Sequence, residues 1–436
     1  MIINKKYILA FSALVMLVSI AKAQSTTNSP YSKFGVGNLR GSYLPQNRAM
    51  GNLAFGISSM GAYHNVNVSN PASYSQIRLT TFDVGAYTNL QSLNKGSISE
   101  KNFNAALDHF MLAVPVTKKS AVSFGLLPYS NLGYQFTNNG LVDTFSVEQI
   151  YGGEGGLSKA YLGYGFALGK NLSFGVNMSY IFGNLKETRS TEFSKYNGFL
   201  NSRTENNNGV GGLNFDFGAQ YIAAINKTTK LTIGYAGGVK TQLNTTNTVL
   251  STRYTVTIPD LTKPDIIEEN RADTTLFKDE VAGNLTLPSN HNFGFSIEKL
   301  NKWLIGADIR LANWSQFSNN GSNQNLNNTF GFSVGGQITP DINAVTNYFK
   351  LIDYRLGLNY DKTYVNINNQ DIDVKSLNFG MGFPLVSSRS AFYKFNFTTE
   401  LGRRGTLKSN LVQENFVNFY VGFTINDRWF QKYKYD

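Results

Sequence analysis

Residues 415–426, Asn-Phe-Val-Asn-Phe-Tyr-Val-Gly-Phe-Thr-Ile-Asn, limit what this chain can fold into more than any other stretch. Val417, Phe419, Val421, Phe423 and Ile425 take every second position, with Asn418, Gly422 and Thr424 among those between. Side chains alternate across a strand, so the run has one apolar face and one mixed face. Its length is close to the ~9–11 residues a tilted strand needs to cross a bilayer. The same pattern recurs along most of the chain. The expected fold is all-β: a transmembrane antiparallel β-barrel of about fourteen strands.

Composition fits that reading. The 436 residues hold 41 Gly and 14% aromatics but only 15% charged residues, an unusual mixture for a soluble core. Mean hydropathy is −0.22, too polar for a bundle of membrane helices, yet suited to a barrel in which alternate residues face lipid. Lys5 and Lys6, the apolar run Tyr7 to Ile20 and Ala21-Lys22-Ala23 have the layout of a secretory signal. Cleavage after Ala23 would start the mature chain at Gln24; a retained membrane anchor is the alternative. Export with barrel patterning points to a Gram-negative outer membrane. Without Lys5, Lys6 and Lys22 the formal charge falls from +11 to +8. Contacts with lipid phosphates, or scattered solvated charge, account for that excess; nucleic acid is not an expected partner.

Residues 24–79 do not alternate cleanly and contain Arg48-Ala49-Met50-Gly51 and Asn70-Pro71-Ala72. They are either a flexible periplasmic tail or a plug folded in the lumen. The barrel would span 80–426, with a short tail at 427–436. Strands are expected at 80–92, 104–115, 120–137, 144–168, 172–184, 210–226, 230–244, 288–300, 303–316, 329–338, 352–364, 373–384, 391–403 and 415–426. Tight turns at Lys118-Lys119, Gly169-Lys170-Asn171, Asn226 to Thr229 and Asn301-Lys302 alternate with long polar loops at 185–209 and 245–287. Short turns belong on the periplasmic side and long loops outside. The exception is 339–351, a long connection where a periplasmic turn belongs, with a short helix expected around Ala344 to Lys350.

Alternation also separates the faces. Phe174, Val176, Met178, Tyr180 and Phe182 should meet lipid, as should Ile305, Ile309, Leu311, Leu356, Leu358, Phe395, Phe397 and Leu401. The opposite positions carry charge: Asp308, Arg310, Asp353, Arg355, Asp361, Lys394 and Glu400. A charge facing lipid near the midplane costs about 2–4 kcal/mol, so these side chains should point inward, as a structural network of ion pairs or as part of a transport path.

Little catalytic chemistry is legible. Cysteine is absent, which excludes disulfides, thiolate metal sites and a Cys nucleophile. His64, His109 and His291 lack metal-ligand spacing, and no nucleophile elbow or P-loop occurs. Gly152 to Gly156 lacks the Lys-Ser/Thr of a phosphate loop and reads as a bulge or loop. No enzyme, cofactor or metal is expected.

Arg48-Ala49-Met50-Gly51, Asn70-Pro71-Ala72 before the first strand, and Leu287-Pro288 through Ala307-Asp308 to Trp314-Ser315 resemble the FadL-type family of long-chain fatty acid transporters, in a branch common in Bacteroidetes. The resemblance implies a fourteen-stranded barrel closed by an N-terminal plug. It implies capture of hydrophobic substrate by extracellular loops, a greasy pocket, and lateral exit at an inward kink of the third strand. Asn70, Pro71 and Ala72 would touch that kink, and Gly125, Pro128 and Gly133 suit it because Pro lacks a ladder donor and Gly weakens a strand. Phe193, Tyr196, Phe199 and Leu200 are the candidate capture residues. The polar long loops and the tail after Asn426 depart from the family pattern.

The leading expectation is therefore outer-membrane transport of a hydrophobic molecule. The competing one is an accessory barrel of a secretion (type IX-like) or barrel-assembly complex. Expected partners are outer-membrane lipid including lipopolysaccharide, a hydrophobic small molecule, and outer-membrane complex subunits.

Overall fold

The computed structural model describes residues 29–61, 65–193, 196, 198–257, 268–385 and 391–429. The leader with its cleavage point after Ala23, His64, and the tail beyond Trp429 lie outside the described residues. What is described is one closed antiparallel barrel around an N-terminal segment.

Fourteen staves form the wall. They are β1 (Thr80–Lys95), β2 (Ile98–Thr117), β3 (Ser120–Val142), β4 (Phe145–Leu168), β5 (Leu172–Glu192) and β6 (Asn201–Ala224). Next come β7 (Thr229–Gly238 and Thr241–Thr257) and β8 (Glu268–Leu287 and Asn290–Lys299), each in two pieces that follow one neighbour. The last six are β9 (Trp303–Ala312), β10 (Thr329–Ile338), β11 (Asp353–Ile367), β12 (Gln370–Leu385), β13 (Phe392–Gly405) and β14 (Gln413–Asp427). β14 closes on β1 from Thr80↔Asp427 to Asn94↔Gln413, so the wall leaves no first or last edge.

Two of the expected loops are not loops. Residues 185–192 and 201–211 continue β5 and β6, and most of 245–287 extends β7 and β8 as a paired ladder. β6 binds the extension directly, from Gly211↔Asn244 to Asn201↔Tyr254. One side of the barrel therefore rises as a sheet above the other. Gly152 to Gly156 lies within β4, where Gly155 and Gly156 have φ of +117° and +152°. The 339–351 connection holds a single 3₁₀ turn, Tyr348–Lys350.

The described residues between 29 and 79 occupy the lumen. Their regular pieces are 3₁₀ turns at Pro30–Lys33 and Pro71–Gln76 and one helical turn at Pro45–Arg48. The apolar core lies between this plug and the wall: Leu44, Val66, Val68, Tyr74 and Ile77 pack on Met111, Ala113, Ala121, Leu127 and Tyr161. A second cluster fills the upper lumen, where Trp314, Phe317 and Leu326 of the 313–328 loop join Leu157, Ile181, Leu243 and Leu285 of the tall side.

Candidate functional site

The plug meets the wall at glycines that let one backbone lie on another. A Cβ at Gly234 would sit 1.9 Å from the Phe55 carbonyl oxygen, one at Gly175 2.3 Å from Pro71, and one at Gly357 2.1 Å from Met50. These separations are below any real contact, so a side chain at these positions would displace the plug. Gly51 makes the reciprocal approach: its φ is +74° and its Cα faces the Leu358 carbonyl. The Arg48-Ala49-Met50-Gly51 motif is thus a tight turn pressed on β10 and β11.

Asn70 is fully buried. Its amide donates to the Phe55 carbonyl at 2.8 Å, and its side-chain oxygen accepts the Ala72 N–H at 3.2 Å, capping the Pro71–Gln76 turn. Pro71 lies on Gly165 and Gly175, and Asn70 on Gly218. The triplet therefore sits on glycines of β4, β5 and β6, and the turn it opens also packs on β3 through Tyr74 and Ile77. A second part of the plug engages β3 above Leu126.

That part is residues 29–40. Among the described residues, β2 and β3 pair from Phe110↔Leu126 down to Thr117↔Ser120. Above Leu126, β3 turns to the plug: Asn38 and Leu39 pair with Asn131 and Ser130. Ser29 N–H donates to Gly133 O at 2.8 Å, and Arg40 N–H to Tyr129 O at 3.0 Å. The β3–β4 register shifts between Pro128 and Ser130. Gly125 is the last position at which β3 needs space beside β2, since a Cβ there would lie 2.4 Å from Phe110 O.

The seven lumen charges singled out in the sequence all turn inward and are engaged. Asp308 accepts the N–H groups of Ala54 at 2.6 Å and Phe55 at 3.0 Å, tying plug to wall. Arg310 reaches Asp361 at 2.9 Å, Ser333 at 2.6 Å and Asn359 at 2.6 Å. Arg355 donates to Asp353 at 2.8 Å and Asn396 at 2.9 Å, and Lys394 joins the same Asp353. Glu400 accepts from Asn418 at 2.9 Å and Tyr420 at 3.0 Å.

A further buried cluster was not legible. Asp108 is the extra residue of a β-bulge, since Gly85 faces His109 and Ala86 faces Leu107. The bulge breaks the period of two and turns two consecutive side chains, Asp108 and His109, inward. His109 lies 3.0 Å from Asp108 and 2.7 Å from Asp83. Arg40 and Arg48 of the plug approach Asp108 at 3.4 and 3.8 Å, and stack over the rings of Tyr87 and Tyr420. The clue was the neighbouring pair Asp108-His109 in an otherwise alternating run. Among the described residues no group of His, Asp and Glu has a metal-holding arrangement.

Between plug and upper wall remains a cavity of about 420 Å³. Arg40, Lys159, Asp216, Arg310, Asp361 and Glu400 line it together with Tyr43, Phe55, Tyr129, Trp314, Tyr364 and Phe416, so its lining is mixed where the resemblance called for a greasy pocket. At the mouth, Phe193, Tyr196 and Phe199 do converge, with ring centroids 5.2 to 5.4 Å apart and Phe145 completing the group. Leu200 stands apart, 45% exposed.

A family model named BamG matches residues 1–436, the whole sequence. The chain belongs to the BamG family. Comparison with curated proteins gave no match. Solved structures share the fold of this BamG-family barrel at low identity. A Pseudomonas aeruginosa FadL homologue is 12% identical, with TM-score 0.57 over 90% of this chain and 100% of its own. The P. putida toluene transporter TodX is 13% identical, with TM-score 0.58 over 89% and 99%. The Ralstonia pickettii toluene transporter TbuX is 14% identical, with TM-score 0.56 over 88% and 98%. All three are outer-membrane-type barrels, and at such identities the likeness is one of architecture. The assignment to the FadL-type transporter family, and with it transport of a hydrophobic molecule, is overturned by the BamG match. The short motifs that carried the resemblance encode, in this chain, contacts that seat the plug on the wall, and those contacts specify no cargo.

Proposed function

We propose that this barrel is an accessory subunit of the outer-membrane machinery that assembles β-barrels. The observation that carries the reading is the BamG match over the full length. The molecule's construction supports it. The plug is hydrogen-bonded and close-packed to the wall, and Trp314, Phe317 and Leu326 add a buried apolar cluster inside the lumen. Such a barrel suits a scaffold in the membrane plane. The reading includes export by cleavage after Ala23, requires no catalysis and no cofactor, and assigns Asn70, Pro71 and Ala72 to holding the plug.

The test is purification of an epitope-tagged protein, expressed from its own locus, after mild crosslinking of intact outer membranes. Subunits of the assembly machinery should co-purify in fixed ratio, and depletion should lower the amounts of other folded outer-membrane barrels. Recovery of the monomer alone, with other barrels at normal levels after depletion, would sink the proposal.

A further inference from the structure

The lipid-facing side of β10 to β13 carries two rungs of a ladder with different chemistry. The lower rung is Val334, Leu358, Leu377 and Leu401, neighbours across successive strands. Directly above it run Phe332, Tyr360, Lys375 and Arg403. Together these residues line an outward groove of about 600 Å³. The groove is on the barrel exterior, toward the extracellular end, and is separate from the lumen.

Lys375 and Arg403 stand directly opposite each other on β12 and β13. Like charges at facing positions of a sheet destabilise it. The carboxylates nearby, Asp371 and Asp373, make no direct ion pair with either cation. Asp371 is taken by Lys362, and Asp373 accepts the Tyr360 hydroxyl at 3.0 Å. Among the described residues, neither Lys375 nor Arg403 forms an ion pair with a carboxylate. Lys375 instead lies 5.5 Å from the Tyr360 ring centroid. Two adjacent cations above an apolar groove complement an anionic head group carrying hydrocarbon chains. Guanidinium forks and ammonium groups are the side chains that bind phosphate oxygens.

We infer that this groove is a binding site for a phosphorylated, acylated lipid of the outer leaflet. Lys375 and Arg403 hold the phosphate, and Val334, Leu358, Leu377 and Leu401 receive an acyl chain. The bound anion removes the cross-strand repulsion, so lipid and sheet stabilise each other.

The test uses the purified full-length protein in detergent and therefore does not depend on the assembly role. Binding of bisphosphorylated lipid A, of the same lipid stripped of phosphate, and of inorganic phosphate is measured by native mass spectrometry. The wild type should retain lipid A at least tenfold better than the phosphate-free form. A Lys375→Gln, Arg403→Gln variant should lose that preference, and a Lys299→Gln, Lys302→Gln variant at the periplasmic end should keep it. Heat-modifiable gel mobility verifies that each variant is folded. Equal retention of both lipids, an unaffected double variant, or full displacement of lipid A by inorganic phosphate would each overturn the site. So would a double variant that still binds lipid A but loses a co-purifying protein, since a protein would then be what covers the groove.

Discussion

On one side of the barrel β5 and β6 run for 21 and 24 residues, while farther round the wall β9 and β10 have 10 each. At ~3.3 Å per residue, ten tilted residues just cross hydrocarbon and twenty-four reach well beyond it. The short staves obey lipid throughout: Ile305, Ile309 and Leu311 face out, and Asp308 and Arg310 face in. The tall staves obey it only in their lower parts. Above the membrane, water bathes the outer face, so Thr and Asn serve as well as Leu. There, position in the ladder is held by backbone pairing and by scattered inward residues such as Leu243 and Leu285. Strands imposed by lipid carry their pattern in the side chains; strands imposed by a neighbouring strand do not.

Breaking the buried charges of the short side should have the largest effect. Asp353→Ala leaves Arg355 and Lys394 buried without their shared carboxylate, and should cost about 3–5 kcal/mol. Equilibrium unfolding in guanidinium with lipid vesicles reads this directly. Next comes Gly357→Val, which drives a side chain into Met50 and Gly51 and should cost about 3 kcal/mol or release the plug to added protease. Its partner in the comparison is Gly152→Ala on the tall side, where the nearest atom is 3.9 Å away; that change should stay within about 0.5 kcal/mol.

Asp308→Asn weakens a charged acceptor that holds two plug amides and should cost about 1–2 kcal/mol. The readout is faster amide exchange at Ala54 and Phe55 with an intact wall. The smallest effect belongs to the tall sheet. Arg203 donates to both Glu269 oxygens, at 2.7 and 2.8 Å, and holds its carboxyl below the ordinary range. A lowered folded value means the pair contributes above the unfolded pKa of about 4.3 and is lost as pH falls through the folded one. Glu269→Gln should therefore cost under about 1 kcal/mol at pH 7, and less at pH 4 or in high salt. Denaturant titrations at the two pH values check this.

Much of this fold was legible because the bilayer writes its demands into the sequence. The number of staves, the inward turn of Asp308, Arg355 and Lys394, and the tight turns followed from alternation and breaker residues. The extensions of β5 to β8 read as loops because no apolar face marks them. The Arg40–Arg48–Asp108–His109 cluster was hidden by a one-residue bulge, which local sequence does not announce. The glycine seats of Asn70 to Ala72 on β4 to β6 were not legible because a plug contacts glycines drawn from many strands, and glycine says only that something comes close. Function was the least legible part: plug and barrel motifs describe an architecture that serves several purposes.

The first described residues of the plug bond with the last staves. Ser29 meets Glu414 across 385 positions of sequence, and Thr398 donates to the Pro45 carbonyl across 353. No plug contact of this kind can form until nearly the whole chain has been delivered. Those separations are among the largest a chain of this length permits, although most wall pairings join strands adjacent in sequence; closures of such range form late, while the unpaired edges stay exposed. A barrel built this way is itself a demanding client for assisted assembly, and its own production would report on the health of any machinery it joins.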